Sequence, residues 1–171
     1  YCGEQNIGLE VVQPVSDESH VISSTHIRKL IQDGFVRRAN FELGSVFGFR
    51  ATVVHGAGRG KDLDFPTANV IPVEKNQLMP NPGVYFTRGR INGLQLYGMC
   101  NFGTRPTFNE EELVLEIHFF HDNFVDLYGK EIRVEFLERI RDEKKFPSPE
   151  DLKSQLIIDK QTCLELQGKY E

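Results

Sequence analysis

The chain has 171 residues, with 20 lysines and arginines against 25 aspartates and glutamates, a formal charge of -5 and a pI near 5.6. That length suits one compact domain, or one domain with a fragment of a second, and 39% hydrophobic residues, thirteen of the chain's residues being phenylalanine, furnish a core without tryptophan. The acidic balance argues against a general nucleic-acid coat, whose affinity comes from Lys and Arg on phosphates, and no apolar run approaches the ~20 residues of a membrane span.

In chain order, residues 1–13 hold no charged region followed by an apolar one, so they do not read as a signal peptide. Cys2, Cys100 and Cys163 are odd in number and widely spaced. They support neither a disulfide framework nor a zinc knuckle, and favour a reducing cytoplasm. Residues 9–12 read as a short strand. Residues 22–31 read as a helix start in which Ser24 or Thr25 offers its oxygen to an orphan N–H, with Gly34 as the stop. These two elements are too short to be a domain and look like the tail of one.

From Phe41 onward, short runs of Val, Ile, Phe and Tyr alternate with Gly, Pro and Asn clusters. Residues 51–54, 83–86, 94–99, 113–120 and 132–137 are strand candidates. Strands so spaced, with no helical pattern between them, predict an antiparallel barrel. Residues 126–129 read as a hairpin connection between the last two. Ser148-Pro149-Glu150-Asp151 then combines an N-cap, a proline at the first helical position and two acids in the first turn. It predicts a helix to about Leu166, with Leu152, Leu156 and Cys163 on one face, docked on the barrel.

Three segments can carry chemistry. In His55-Gly56-Ala57-Gly58-Arg59-Gly60-Lys61, alternating glycines let backbone N–H groups approach an anion, and Arg59 and Lys61 add charge. The segment is not a Walker A loop, because His55 stands where that motif needs Gly and Asp62 where it needs Ser or Thr. A plain glycine turn is the competing reading. In Phe65-Pro66-Thr67-Ala68-Asn69, an extended backbone puts Thr67 and Asn69 on one side. A hydroxyl and an amide oxygen there suit a Mg²⁺ shell completed by water and phosphate, or a simple Asx or Ser/Thr turn. Along residues 114–121, Leu115, Ile117 and Phe119 share one face of a strand while Val114, Glu116, His118 and Phe120 share the other. Glu116 in so apolar a run is either a base of raised pKa or an ordinary outward-facing residue.

Taken together, these strings resemble the riboflavin kinase family. The resemblance rests on residues 53–61, Phe65-Pro66-Thr67-Ala68-Asn69, Pro82-Gly83-Val84-Tyr85, Asn101-Phe102-Gly103-Thr104-Arg105-Pro106-Thr107, Glu116-Ile117-His118, Asp126-Leu127-Tyr128-Gly129 and residues 141–146, in the family's order over residues 41–171. Ile22-Ser23-Ser24-Thr25-His26-Ile27-Arg28 resembles the closing motif of the adenylyltransferase half of bacterial bifunctional riboflavin kinase/FAD synthetases. The implied organisation is an adenylyltransferase remnant over residues 1–40 and a kinase domain over 41–171.

The resemblance implies a mainly β fold: a six-stranded antiparallel Greek-key barrel of riboflavin-kinase type with a C-terminal α-helix, preceded by a short α/β remnant. It implies transfer of the ATP γ-phosphate to the ribityl 5′-hydroxyl of riboflavin, with Mg²⁺, to give FMN in the cytoplasm. By motif, Glu116 matches the catalytic base, and Thr67 and Asn69 the metal and phosphate contacts. Gly56, Gly58, Gly60, Lys61, Thr67, Phe119, His121 and Tyr128 match the ATP site, and Arg141, Lys144 and Phe146 the flavin side. The implied partners are riboflavin, ATP and an adenylyltransferase domain in cis, with a homo-oligomer allowed and no nucleic acid or membrane. Asp64 departs from the family, which usually has Gly there; its charge would face ATP, and its backbone would be restricted if the position needs a positive φ. Adenylyl transfer by this chain alone is disfavoured, since none of its five histidines lies in a His-x-Gly-His string. A barrel that binds single strands or flavin without catalysis is the other rival.

Overall fold

The computed structural model describes residues 4–5, 8, 10–17, 20–56, 60, 63–91, 93–106, 111–121 and 127–171. In chain order they form β1 (Ser16–Asp17), β2 (His20–Val21), α1 (Ser24–Gln32), α2 (Val36–Leu43), β3 (Gly48–Val54) and β4 (Ala68–Pro72). There follow β5 (Gly83–Ile91), β6 (Leu94–Pro106), β7 (Glu111–Phe119), β8 (Glu131–Arg141) and α3 (Pro149–Gln167). Strands β3 to β8 close into a six-stranded barrel in the order β3-β4-β7-β6-β5-β8, every pair antiparallel. The meander β5-β6-β7 is followed by a return of β8 between β5 and β3, which is a Greek-key path. Closure leaves the barrel no unpaired edge strand among the described residues.

Two apolar layers hold this shape. Inside the barrel, alternate residues meet: Ala51 and Val53 of β3, Val70 of β4, Tyr85 of β5, Phe102 of β6, Ile117 and Phe119 of β7, and Phe136 of β8. Outside it, Phe86, Tyr97, Met99 and Leu137 form a second cluster with Cys163, Leu156 and Leu166 of α3. Strand β5 is therefore buried on both faces, which accounts for its unbroken run of buried residues from Gly83 to Gly89. Ser148 caps α3 by accepting from the Asp151 N–H at 3.1 Å, as its sequence predicts. No helix among the described residues is long and apolar enough to cross a membrane.

Several expectations are corrected. Of the strand expected at residues 9–12, Leu9 lies outside the described residues and residues 10–12 form no strand; Val11 and Val12 are exposed and have no ladder partner among the described residues, without which an apolar run gains nothing from extension. The short ladder in this region is Ser16–Asp17 with His20–Val21. The α1 cap is Ser23, not Ser24 or Thr25: its hydroxyl accepts from the His26 N–H at 3.2 Å. Helix α2 carried no sequence signal, because Phe35 at its N-cap makes no side-chain cap bond. It forms through packing instead, with Val36 and Ala39 entering the main core. Asn40 ties it down, accepting from the Phe47 N–H at 2.7 Å and donating to the Phe136 carbonyl at 2.9 Å. The hairpin expected at residues 126–129 is absent, because β7 pairs with β4 and β6 whereas β8 pairs with β3 and β5. Of that connection Asp126 lies outside the described residues. Gly129 turns with φ +72° and its N–H donates to the Val53 carbonyl at 2.9 Å.

Candidate active site

The ladder registers place the candidate residues more sharply than the sequence pattern does. Asn69 of β4 stands directly opposite Glu116 of β7. Glu116 stands opposite Asn101 of β6, Asn101 opposite Val84 of β5, and Val84 opposite Arg141 of β8. Directly paired residues share a sheet face and sit about 4.5–5.5 Å apart at Cα. Their neighbours Ala68, Ile117, Cys100 and Tyr85 fill the barrel interior, so the whole row faces outward. It would be a solvated face but for α3 and the segment before it. Val84, Asn101, Glu116 and Arg141 line a cavity of about 870 Å³ walled on the far side by Phe146, Leu152 and Leu156. That is large enough for a mid-sized ligand.

The Phe65–Asn69 segment closes one end of the cavity. The Phe65 N–H donates to the Gly60 carbonyl at 2.8 Å, and Phe65 itself is buried. Thr67 lines the cavity and Asn69 is buried beside Glu116. Gly56 and Gly60 approach this pair closely. A Cβ on Gly56 would collide with the Asn69 amide, and one on Gly60 would collide with the Phe65 carbonyl and lie 3.3 Å from Thr67 Oγ1. Only glycine permits that approach.

Whether a divalent metal suits the site can be judged from these donors. Among the described residues no group of three or more His, Cys, Asp or Glu is placed to enclose a metal. A hydroxyl and an amide oxygen on adjacent backbone, under glycines with no side chain to fill the space, do fit a hard cation that keeps water and phosphate oxygens as its other ligands.

The remaining candidates divide. Lys144 and Phe146 line the cavity with Arg141. The Arg141 guanidinium is committed elsewhere, however, with Nε 3.0 Å from both Asp159 carboxylate oxygens and Nη2 2.7 Å from one; its flat face lies 5.7 Å over Phe146. Tyr128 is stacked on His55, ring centroids 3.9 Å apart and 20° from parallel, where β3 leads into the glycine loop. His121 is exposed just past the end of β7. Phe119 is not brought to the cavity: it lies inside the barrel, where a Cβ on Gly89 would come 2.8 Å from its ring. Gly58, Arg59 and Lys61 lie outside the described residues.

Two lining residues were given no role from sequence. Asn101 flanks Glu116 on the side away from Asn69, and only knowledge of which strands pair reveals it. His118 is buried two residues past Glu116, and the period-two pattern already put both on one face. Asp64 has a positive φ, 64°, so the position does need one. Its carboxylate meets Lys153 Nζ at 2.6 Å.

A closed Greek-key barrel, two glycines packed against Thr67 and Asn69, and a carboxylate at a ligand-sized cavity make this the candidate active site. Comparison with known proteins specifies the family. The riboflavin kinase (Flavokinase) family model matches residues 43–167: the chain belongs to the riboflavin kinase family. It is 36% identical over 160 residues to the bifunctional riboflavin kinase/FMN adenylyltransferase of Bacillus subtilis, covering 92% of this chain and 50% of that protein. It is 39% identical over 150 residues to the protein of the same name from Escherichia coli K12, covering 86% and 46%. A solved structure described as a macrolide-efflux protein from Streptococcus pneumoniae superposes with a TM-score of 0.82 at 39% identity, covering 89% of this chain and 49% of that one. The chain thus spans about half the length of the curated relatives it matches.

Proposed function

We propose that this domain transfers the γ-phosphate of ATP to the ribityl 5′-hydroxyl of riboflavin, giving FMN and ADP, with Glu116 as the general base. The observation that carries this reading is the outward row Asn69–Glu116–Asn101, which sets one carboxylate beside the Thr67–Asn69 pair and at the wall of the cavity. A primary alcohol is a weak nucleophile, and a carboxylate that orients it and takes its proton as the new O–P bond forms is useful. The bond from the γ-phosphorus to the bridging oxygen breaks, and ADP leaves with that electron pair. Such transfer is loose, so most of the rate comes from in-line placement and charge neutralisation.

Thr67 and Asn69 would hold Mg²⁺, which when bound offsets phosphate charge. Gly56, Gly58, Gly60 and Lys61 would close over the phosphates, with His121 and Tyr128 on the nucleotide side, while Phe119 stays inside the barrel. The apolar walls, with Lys144 and Phe146, suit the flat flavin ring, and Arg141 supports that wall through Phe146.

At the scale of the whole protein, we place residues 1–40 with an adenylyltransferase portion that makes FAD in cis, and the kinase in 41–171, with a homo-oligomer of the parent as an allowed assembly. The names and lengths of the relatives support this reading. Free, buried Cys100 and Cys163 suit a reducing, cytoplasmic setting.

The test is incubation of the purified chain with riboflavin, ATP and Mg²⁺, followed by chromatography of the flavins. FMN without FAD is expected; bound riboflavin that is never phosphorylated would sink the assignment. Glu116→Gln should lower kcat at least about 10²-fold while leaving nucleotide affinity within a few-fold. Near-normal turnover would remove Glu116 from the role of base.

A further inference from the structure

His118 has no part in the roles above, yet it is 94% buried by its 6% exposure and lines the cavity. It lies on the Glu116 face of β7, about 7 Å farther along the strand. Its Nδ1 is 2.9 Å from the Pro66 carbonyl oxygen. A carbonyl only accepts, so Nδ1 carries the proton, and in the neutral ring Nε2 is bare. Nε2 is buried without a hydrogen-bond partner among the described residues. Protonating it would place a second N–H there with no acceptor among them.

The place of this bond in the sheet gives it a purpose. The ladder between β4 and β7 ends at Ala68 paired with Ile117. Pro66 and Thr67 lie one step beyond, where no ladder pair ties them to the strand that carries Glu116. The His118 ring takes over at that step, bonding the carbonyl of the planar peptide that leads into Thr67. The Phe65 ring, 5.1 Å from the imidazole, and the Phe120 ring, 5.8 Å from it, pack against it. Lys160 of α3 reaches over both rings, at 5.9 and 5.8 Å, and Met99 faces His118 from β6.

We infer that His118 is a positioning residue: as the neutral Nδ1–H tautomer it clamps the Pro66–Thr67 peptide to β7, and so sets Thr67 beside the Asn69–Glu116 pair that the ladder already holds. The kinetic consequence rests on the kinase reading, whereas the tautomer does not. Burial lowers the imidazole pKa and outweighs the Pro66 bond, which raises it, with the Lys160 ammonium lowering it further; the direction agrees with a neutral ring.

Two measurements test it. A long-range ¹H–¹⁵N spectrum of the histidine rings of the chain at pH 7 should assign His118 as Nδ1–H. An Nε2–H tautomer or an imidazolium would overturn the inference, whatever the chain's activity. In the second, His118→Asn keeps an amide N–H near the Nδ1 position, whereas His118→Gln carries its amide out toward Nε2. FMN formation by H118N should stay within about threefold of the parent, while H118Q should lose at least about tenfold in kcat/KM for MgATP with less change in KM for riboflavin. Equal activity in two variants that melt like the parent would refute the clamp. If H118Q unfolds, retention of activity by H118N and the tautomer of the parent ring still decide. If the unaltered chain makes no FMN, the kinase reading fails and the spectrum alone judges the clamp.

Discussion

Asp64 shows how one residue can be anomalous in sequence and accommodated in structure. Its φ of 64° is one that aspartate tolerates better than most side chains. Its carboxylate bonds Lys153 of α3 at 2.6 Å, and that ammonium holds its pKa below the ordinary carboxylate value. Asp64→Gly exchanges this exposed pair for relief of the backbone, so thermal melting and KM for ATP should hardly move. Asp64→Val, β-branched at a positive φ, should melt visibly lower in the same scan. His118 makes the fold sensitive to acid. Its native pKa is lowered, chiefly by burial, so as pH falls below about 6.5 the unfolded chain binds a proton that the folded chain resists. The stabilisation is complete above that value and is lost toward the native pKa. Between pH 7 and pH 5 the melting temperature should therefore fall more for the parent than for His118→Asn; equal slopes in calorimetry would exclude the histidine as the cause.

Helix α3 is the element on which the cavity depends. Leu156 and Cys163 pack inward, while Ile157, Ile158 and Leu164 are exposed, so its apolar residues define no single stripe. The Asp159 carboxylate fixes the orientation. Buried at 1% exposure, it accepts from Arg141 of β8 and from Gln155 Nε2 at 2.9 Å. Removing one partner of a buried pair leaves an uncompensated charge, so Asp159→Ala should cost about 3–5 kcal/mol in denaturant unfolding. Because Arg141 also lies over Phe146, the same variant should weaken riboflavin binding more than nucleotide binding. Equal losses for both ligands would mean that α3 does not shape the flavin side.

In the whole molecule, closure of the barrel divides the stable part from the loose part. Strands β3 to β8 have neighbours on both sides, and β5 is buried on both faces. The amides of β5 and β8 should therefore exchange last with deuterium and those of residues 10–15 first, since the latter lack regular structure and lie exposed. Exchange followed by mass spectrometry checks the order. Helices α1 and α2 fall between these extremes: Ile31, Val36 and Ala39 join the barrel core, so they should open after residues 10–15 and before β5.

Local chemistry is what the chain announces on its own. Runs of β-branched and aromatic residues mark strands, Ser148-Pro149 marks a helix start, and the period of two puts Glu116 and His118 on one face and Phe119 on the other. Proline and glycine strings mark the loops, and their order carries the resemblance to riboflavin kinases. Neighbours across the sheet were not legible, since any strand can in principle pair with any other and the choice is made only when the barrel closes. The expected hairpin before β8 was wrong for that reason, and Asn101 went unassigned for the same one. Nor does periodicity tell which face is the core, or that the outer face at Glu116 would be covered by a helix anchored through Asp159 and Arg141. Burial and close approach are properties of the assembled molecule, and they made a row of outward-facing residues into the wall of a cavity.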